Sequence, residues 1–263
     1  MKAKKTALIL GAVGLVSLPW SVLANSGTIF LEQGPYSYYV GGEFTAFADP
    51  SIDGNYASDA LYTIKGDGTG FQTFCVQTTV TFYPGTTYNY SESLASVGSP
   101  DAFPLSQGAA WLYSEFAQGA LANYDYANTG TGTSLLSPGL GATRQTDAGV
   151  LQAAIWFLQG DQTYYGYPNG GPGNIYYNAV SNALGANVDA AATGSANDYG
   201  VEVLNLTTVG YPSQQDQNQL VYLGGVTNQT RVPDRGATLA LLALSLAGLA
   251  VFARRLGAVQ RAL

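Results

Sequence analysis

The stretch Phe71-Gln72-Thr73-Phe74-Cys75-Val76-Gln77-Thr78-Thr79-Val80-Thr81-Phe82-Tyr83 decides how this chain is read. Aromatic and β-branched residues dominate it, and apolar and polar positions alternate, which is the period of a strand with one face on a core. Phe74, Val76, Val80 and Phe82 share one face; Thr73, Cys75, Gln77, Thr79 and Thr81 share the other. The apolar row is expected to face the core, which leaves Cys75 on the opposite row beside hydroxyls and an amide. A filler hydrophobe would not be placed there.

Strand character extends outward over 36–48, 61–65 and 87–91. The run Gly66-Asp67-Gly68-Thr69-Gly70 has a GxGxG look, but strands flank it on both sides, so a hairpin turn is expected rather than a phosphate-binding loop. The period then changes. Trp111, Leu112, Phe116 and Ala120 predict a helix over 107–121 capped by Ser106 or a neighbour. Val150, Leu151, Ala154, Ile155 and Leu158 predict a second helix, with Thr146 or Asp147 as N-cap, Gly160 as its stop and Gln152 on the flank of the stripe. Residues 174–184 form a third candidate. Strand character returns over 201–207 and 219–226. The expected fold class is α+β: a β-sandwich or barrel-like β-domain over 25–231, interrupted at about 105–185 by a helical insertion that carries the glutamine.

Composition narrows the chemistry. The 263 residues include no histidine and one cysteine, and only 10% are charged, against about 25% in ordinary soluble domains. Without histidine there is no Ser-His-Asp or Cys-His pair and no imidazole metal ligand. One cysteine excludes intrachain disulfides and CxxC motifs. No cofactor or metal is implied. Asp49, Asp53, Asp59 and Asp67 match no EF-hand spacing and read as solvated loop carboxylates.

The two ends read as addresses. Lys2, Lys4 and Lys5 precede an apolar run over 7–18, and Val22-Leu23-Ala24 offers small residues for a signal peptidase, so residues 1–24 are expected to be a secretory signal. At the other end, Val232-Pro233-Asp234-Arg235-Gly236 leads into an uncharged run over 236–253 and then Arg254-Arg255. That run is long enough for a membrane helix, and the basic pair would stay cytoplasmic. The layout over 232–263 resembles the PEP-CTERM class of sorting signals in its Val-Pro-Asp variant, with Val232, Pro233, Asp234 and Gly236 as motif residues. The resemblance implies an exosortase as processing enzyme, membrane contact through 236–253 before processing, and export to the envelope surface or extracellular matrix of a Gram-negative-type bacterium. The ends also mask the charge of the body. Overall the chain carries −7, yet residues 25–231 set Lys65, Arg144 and Arg231 against sixteen carboxylates, a net of −13. Such a body repels nucleic acid and attracts cationic surfaces.

Phe74-Cys75-Val76-Gln77, Ala109-Ala110-Trp111-Leu112-Tyr113 and Leu151-Gln152-Ala153-Ala154-Ile155-Trp156 occur in that order. Together they resemble bacterial Cys-Gln thioester domains of the surface-adhesin type, although Leu151 stands where that family prefers threonine. The resemblance implies an intramolecular thioester between Cys75 and Gln152. It also implies covalent capture of an amine, such as a lysine on a partner's surface or matrix polymer, as an isopeptide. This is single-turnover attachment rather than enzymatic catalysis. Thr73 and Gln77 are candidate donors to the oxyanion that such chemistry develops, and Trp111 and Trp156 are candidate shields against water. Gln77 as acyl partner would close a small strained ring. The scarcity of lysine fits a reactive acyl group that must avoid its own amines, and equally fits an ordinary acidic secreted domain. The rival reading is a non-covalent matrix or carbohydrate-binding β-domain with an inert buried cysteine, using Tyr164, Tyr165, Tyr167, Tyr176 and Tyr177 as stacking surfaces.

Overall fold

Strand β1 (Ser26–Glu32) lies at the middle of a seven-stranded antiparallel sheet, between β4 (Phe44–Asp49) and β7 (Thr86–Ser93). Its alternation places Ile29 and Leu31 in the core. The remaining strands are β5 (Leu61–Ile64), β6 (Gly68–Thr73), β8 (Val201–Thr208) and β9 (Tyr211–Tyr222), and the spatial order is β5-β6-β4-β1-β7-β8-β9. A short ribbon, β2 (Ser37–Tyr38) with β3 (Gly41–Gly42), stands apart from the sheet. The computed structural model describes residues 26–39, 41–50, 52, 56–64, 68–96, 103–129, 143–161, 168–192 and 199–224. Both terminal addresses lie outside these residues, with Val232, Pro233, Asp234 and Gly236, and so do Lys65, Asp53, Asp67, Tyr164, Tyr165 and Tyr167. Among the described residues no helix is long and apolar enough to cross a membrane.

The fold is α+β. Three helices, α1 (Gln107–Ala117), α2 (Arg144–Leu158) and α3 (Ile175–Leu184), fall between β7 and β8, which are themselves hydrogen-bonded neighbours. The helical segment is therefore an insertion between two paired strands. Each helix starts on a side-chain cap: Ser106 accepts from the Ala109 N–H, Thr143 from Thr146, and Asn174 from Tyr176 and Tyr177. Helix α2 thus begins three residues before the expected Thr146. It is buried on every side from Asp147 to Trp156, which explains its small residues. A Cβ on Gly149 would stand 2.6 Å from the ring of Tyr38 in the ribbon.

The decisive stretch departs from the expected single strand. Regular pairing ends at Thr73, Cys75 makes one isolated bridge to Gln219, and the chain beyond is irregular. Both side-chain rows are buried from Phe71 to Gln77, so Cys75 does not stand on a non-core row. One cover is α1: Phe116 meets Phe74 edge-on at 5.0 Å, and the Tyr113 hydroxyl donates to the Gln72 carbonyl at 2.8 Å. The other is β9. The Val76 N–H donates to the Asn218 carbonyl and the Leu220 N–H to the Phe74 carbonyl. The sheet therefore curls until the end of β6 meets β9, the last strand in the order, and Cys75 sits on that seam.

Strand β9 is longer than its apolar run. The polar sequence Ser213-Gln214-Gln215-Asp216-Gln217-Asn218 precedes the strand expected over 219–226, yet it is strand, and it is buried from Asp216 onward. Its amides serve the site described next. Strands β5 and β6 pair antiparallel with Ile64 opposite Gly68; residues 65–67 lie outside the described set.

Candidate functional site

Strands β4 and β6 pair with Phe44 opposite Thr73, Thr45 opposite Gln72 and Ala46 opposite Phe71. Continued by two residues, that register would set Gly42 opposite Cys75. The ladder instead opens there, because Gly42 turns into the ribbon with φ of +95°. On its other edge Cys75 bridges β9 in the pattern in which its neighbours make the hydrogen bonds, so its own N–H and C=O point into the opening. The Gln152 carboxamide fills it. Oε1 accepts the Cys75 N–H at 2.9 Å and the Gly42 N–H at 3.3 Å, and Nε2 donates to the Cys75 carbonyl at 2.8 Å. A helix side chain thus stands in for the missing strand partner, and both Cys75 and Gln152 are fully buried.

Chemically this is a polarised acyl group. Attack on the Gln152 side-chain carbon would place negative charge on Oε1, where two main-chain N–H groups are already aimed. These donors differ from the expected ones. The Thr73 hydroxyl donates to the Leu220 carbonyl at 2.7 Å, and Gln77 accepts from the Asn218 N–H through Oε1 and from Gln217 Nε2 through its own carbonyl. Both residues tie the decisive stretch to β9. A hydroxyl and an amide on the cysteine's row looked suited to the role, whereas main-chain donors leave no mark in a sequence beyond the glycine pair Gly41-Gly42.

The thiol is free. Its S–H donates to Gln217 Oε1 at 3.1 Å, and Gln219 Nε2 donates to Sγ at 3.5 Å. Burial pushes the Cys75 thiol up to about 12, against the Gln219 hydrogen bond that favours the thiolate. An uncross-linked Cys75 is therefore inert to alkylation while the protein is folded. Trp156, one turn beyond Gln152, is 2% exposed and lines a cleft of about 260 Å³ beside Gln217. Trp111 is only partly buried against the core and does not line that cleft. Tyr176 is buried, so it offers no stacking face to a carbohydrate, and Tyr177 lies half-buried, edge-on to Phe157. Among the described residues no three His, Cys, Asp or Glu side chains group as metal ligands.

A buried ion pair joins the two sides of the opening. Glu43, next to Gly42, accepts from Arg144 Nε at 2.8 Å, and Arg144 opens the helix that carries Gln152. Arg144 Nη1 also donates to the Tyr126 carbonyl at 2.7 Å, its guanidinium lies 4.4 Å over the Tyr36 ring, and the Tyr124 hydroxyl bonds Glu43. Burial pushes the Glu43 carboxyl up, opposed by Arg144.

Two predictions arise here. Gly42→Ala forces a side chain onto positive φ and sets its Cβ 2.8 Å from the Tyr38 nitrogen, displacing one oxyanion donor. If Cys75 attacks the Gln152 acyl carbon, that step should slow by about 10²–10³, followed as the rate of ammonia loss after refolding. Asp147, in the first turn of α2, accepts the Asp125 N–H at 2.8 Å. Burial raises its carboxyl from 3.8 to about 6. The folded state therefore binds more protons between those values, so this contribution to stability is full below the lower value and is lost as pH rises through about 6. Asp147→Asn should flatten that slope in urea midpoints measured between pH 4 and 7.

Compared with protein-family models, with curated proteins and with solved structures, the chain finds no match in any of the three.

Proposed function

We propose that this protein is an exported covalent-attachment module in which Cys75 and Gln152 form an internal thioester. The observation that carries the reading is the Gln152 carboxamide seated in the open ladder between Cys75 and Gly42, its carbonyl oxygen on two main-chain N–H groups. Formation joins Sγ to the Gln152 acyl carbon. The C–N bond breaks, and the thiol proton leaves with the amide nitrogen as ammonia. An ordinary amide is a poor acyl donor, so the reaction depends on reactants held in place by a strand seam and a buried helix. A partner's lysine then attacks the acyl carbon, the C–S bond breaks, and an isopeptide forms with Cys75 released as a thiol. Attachment happens once per molecule. The curled sheet, closing through Cys75 and Gln219, is read as the barrel-like member of the expected architectures. Signal peptidase and an exosortase are the proposed processing enzymes, and the envelope surface or matrix the proposed destination.

Incubation of the exported body with a lysine-rich protein tests the attachment. An adduct that survives boiling in detergent, absent for Cys75→Ala, is the expected result. Equal binding by Cys75→Ala and wild type, with no adduct, would favour the non-covalent reading.

A further inference from the structure

Gln217 belongs both to the lining of the cleft and to the hydrogen bonds of the thiol. It is 5% exposed, lines the cleft, and accepts the Cys75 S–H on Oε1 while its Nε2 is anchored on the Gln77 carbonyl. Thioester formation consumes the S–H. The Gln217 carbonyl then loses its donor yet stays fixed between the sulfur and the cleft, and a buried acceptor without a donor costs about 1–3 kcal/mol. A group that enters the cleft with an N–H to donate restores that bond.

Resting on the thioester reading, we propose that this cleft is the entry channel for the attacking nucleophile, that Gln217 Oε1 receives and orients its N–H, and that the ligand class is an unbranched primary alkyl amine such as the end of a lysine side chain. The walls suit that class. Tyr39, Phe44, Phe82 and Trp156 line the cleft with aromatic side chains, which suit an aliphatic stem and its cation. Among the described residues no charged side chain lines the cleft to hold the ammonium at a distance from the acyl carbon, and about 260 Å³ admits one side chain rather than a folded segment. Tyr39, 69% exposed, stands at the mouth, and the −13 body favours approach of a cation. The step balances without a further reactant. The amine nitrogen bonds the Gln152 acyl carbon, the C–S bond breaks, and one N–H proton passes to sulfur. The product regains the S–H that donated to Gln217 at the start.

The test follows aminolysis of the exported body by intact mass with n-butylamine and tert-butylamine, for wild type, Gln217→Leu and Val80→Trp. Val80 lines the cleft, whose lining includes neither Cys75 nor Gln152, so the larger side chain is chosen to fill the channel and leave the acyl site in place. Wild type is expected to favour n-butylamine over tert-butylamine about tenfold beyond their difference in solution. Each variant should retain the ammonia deficit but react with n-butylamine about tenfold more slowly, the size of one lost hydrogen bond or a blocked approach. A wild type without the ammonia deficit overturns the thioester reading and this inference with it. A deficit accompanied by no preference between the amines, or by unchanged rates in the variants that retain it, overturns the channel alone. Should Gln217→Leu fail to fold, the wild-type amine pair and Val80→Trp decide the question.

Discussion

Gln152→Ala is expected to abolish the ammonia deficit and to leave the protein less stable than any other single change at the site. The proposed cross-link spans 77 residues between Cys75 and Gln152, and closing a loop of that length in the unfolded chain is worth about 4.5 kcal/mol. Cys75→Ala loses the same cross-link, but the hydrogen bonds to Gln152 come from the main chain of residue 75 and survive. Gln152→Ala also strips the partner from the buried Cys75 N–H and C=O and from the Gly42 N–H, a further cost of about 3 kcal/mol. Denaturant unfolding should therefore order the proteins as wild type, then Cys75→Ala close to methylamine-treated wild type, then Gln152→Ala. Equal stabilities for the two variants would show that the carboxamide does not bridge the open ladder.

Arg144→Leu should destabilise the body by about 3–5 kcal/mol, because it leaves the buried Glu43 carboxyl without its cation, to carry an uncompensated charge or take up a proton. The effect should reach the chemistry too. Glu43 follows Gly42, and Arg144 lies two turns before Gln152, so the pair holds an oxyanion donor and the acyl group in one frame. Cross-link formation after refolding should slow even under conditions where the variant is fully folded. Adding Glu43→Leu removes the stranded carboxylate and should recover much of the stability. If the double variant is no more stable than Arg144→Leu, the penalty lies in packing around Tyr36 and Tyr126 rather than in an uncompensated charge.

How far the sequence shows all this depends on what each feature is made of. Helices α1 to α3 are legible because Ser106, Asn174 and Gly160 mark ends, and because Trp111, Leu112 and Phe116 keep a helical period. Cys75 and Gln152 are legible as a pair through short motifs. The rest of the site is not, since its parts are main-chain groups and neutral amides. The N–H of Gly42 has no side chain to announce it. Gln217 and Gln219 sit two apart on one face of β9, a strand period that is visible once sought, but the polar run around them outweighs it. The alternation in 71–83 misleads for a related reason: it describes a strand covered on one side, whereas both rows are buried from Phe71 to Gln77.

Cys75 is fully buried, and burial pushes its thiol up to about 12, so alkylation of the folded protein does not separate a thioester from a free thiol. Intact mass does. The exported body should weigh less than its sequence mass by one ammonia. Methylamine should then add to Gln152 and free Cys75, which alkylates once the protein is unfolded. A body at its full sequence mass, whose Cys75 alkylates completely on unfolding without prior methylamine, would contradict the thioester at the centre of this account.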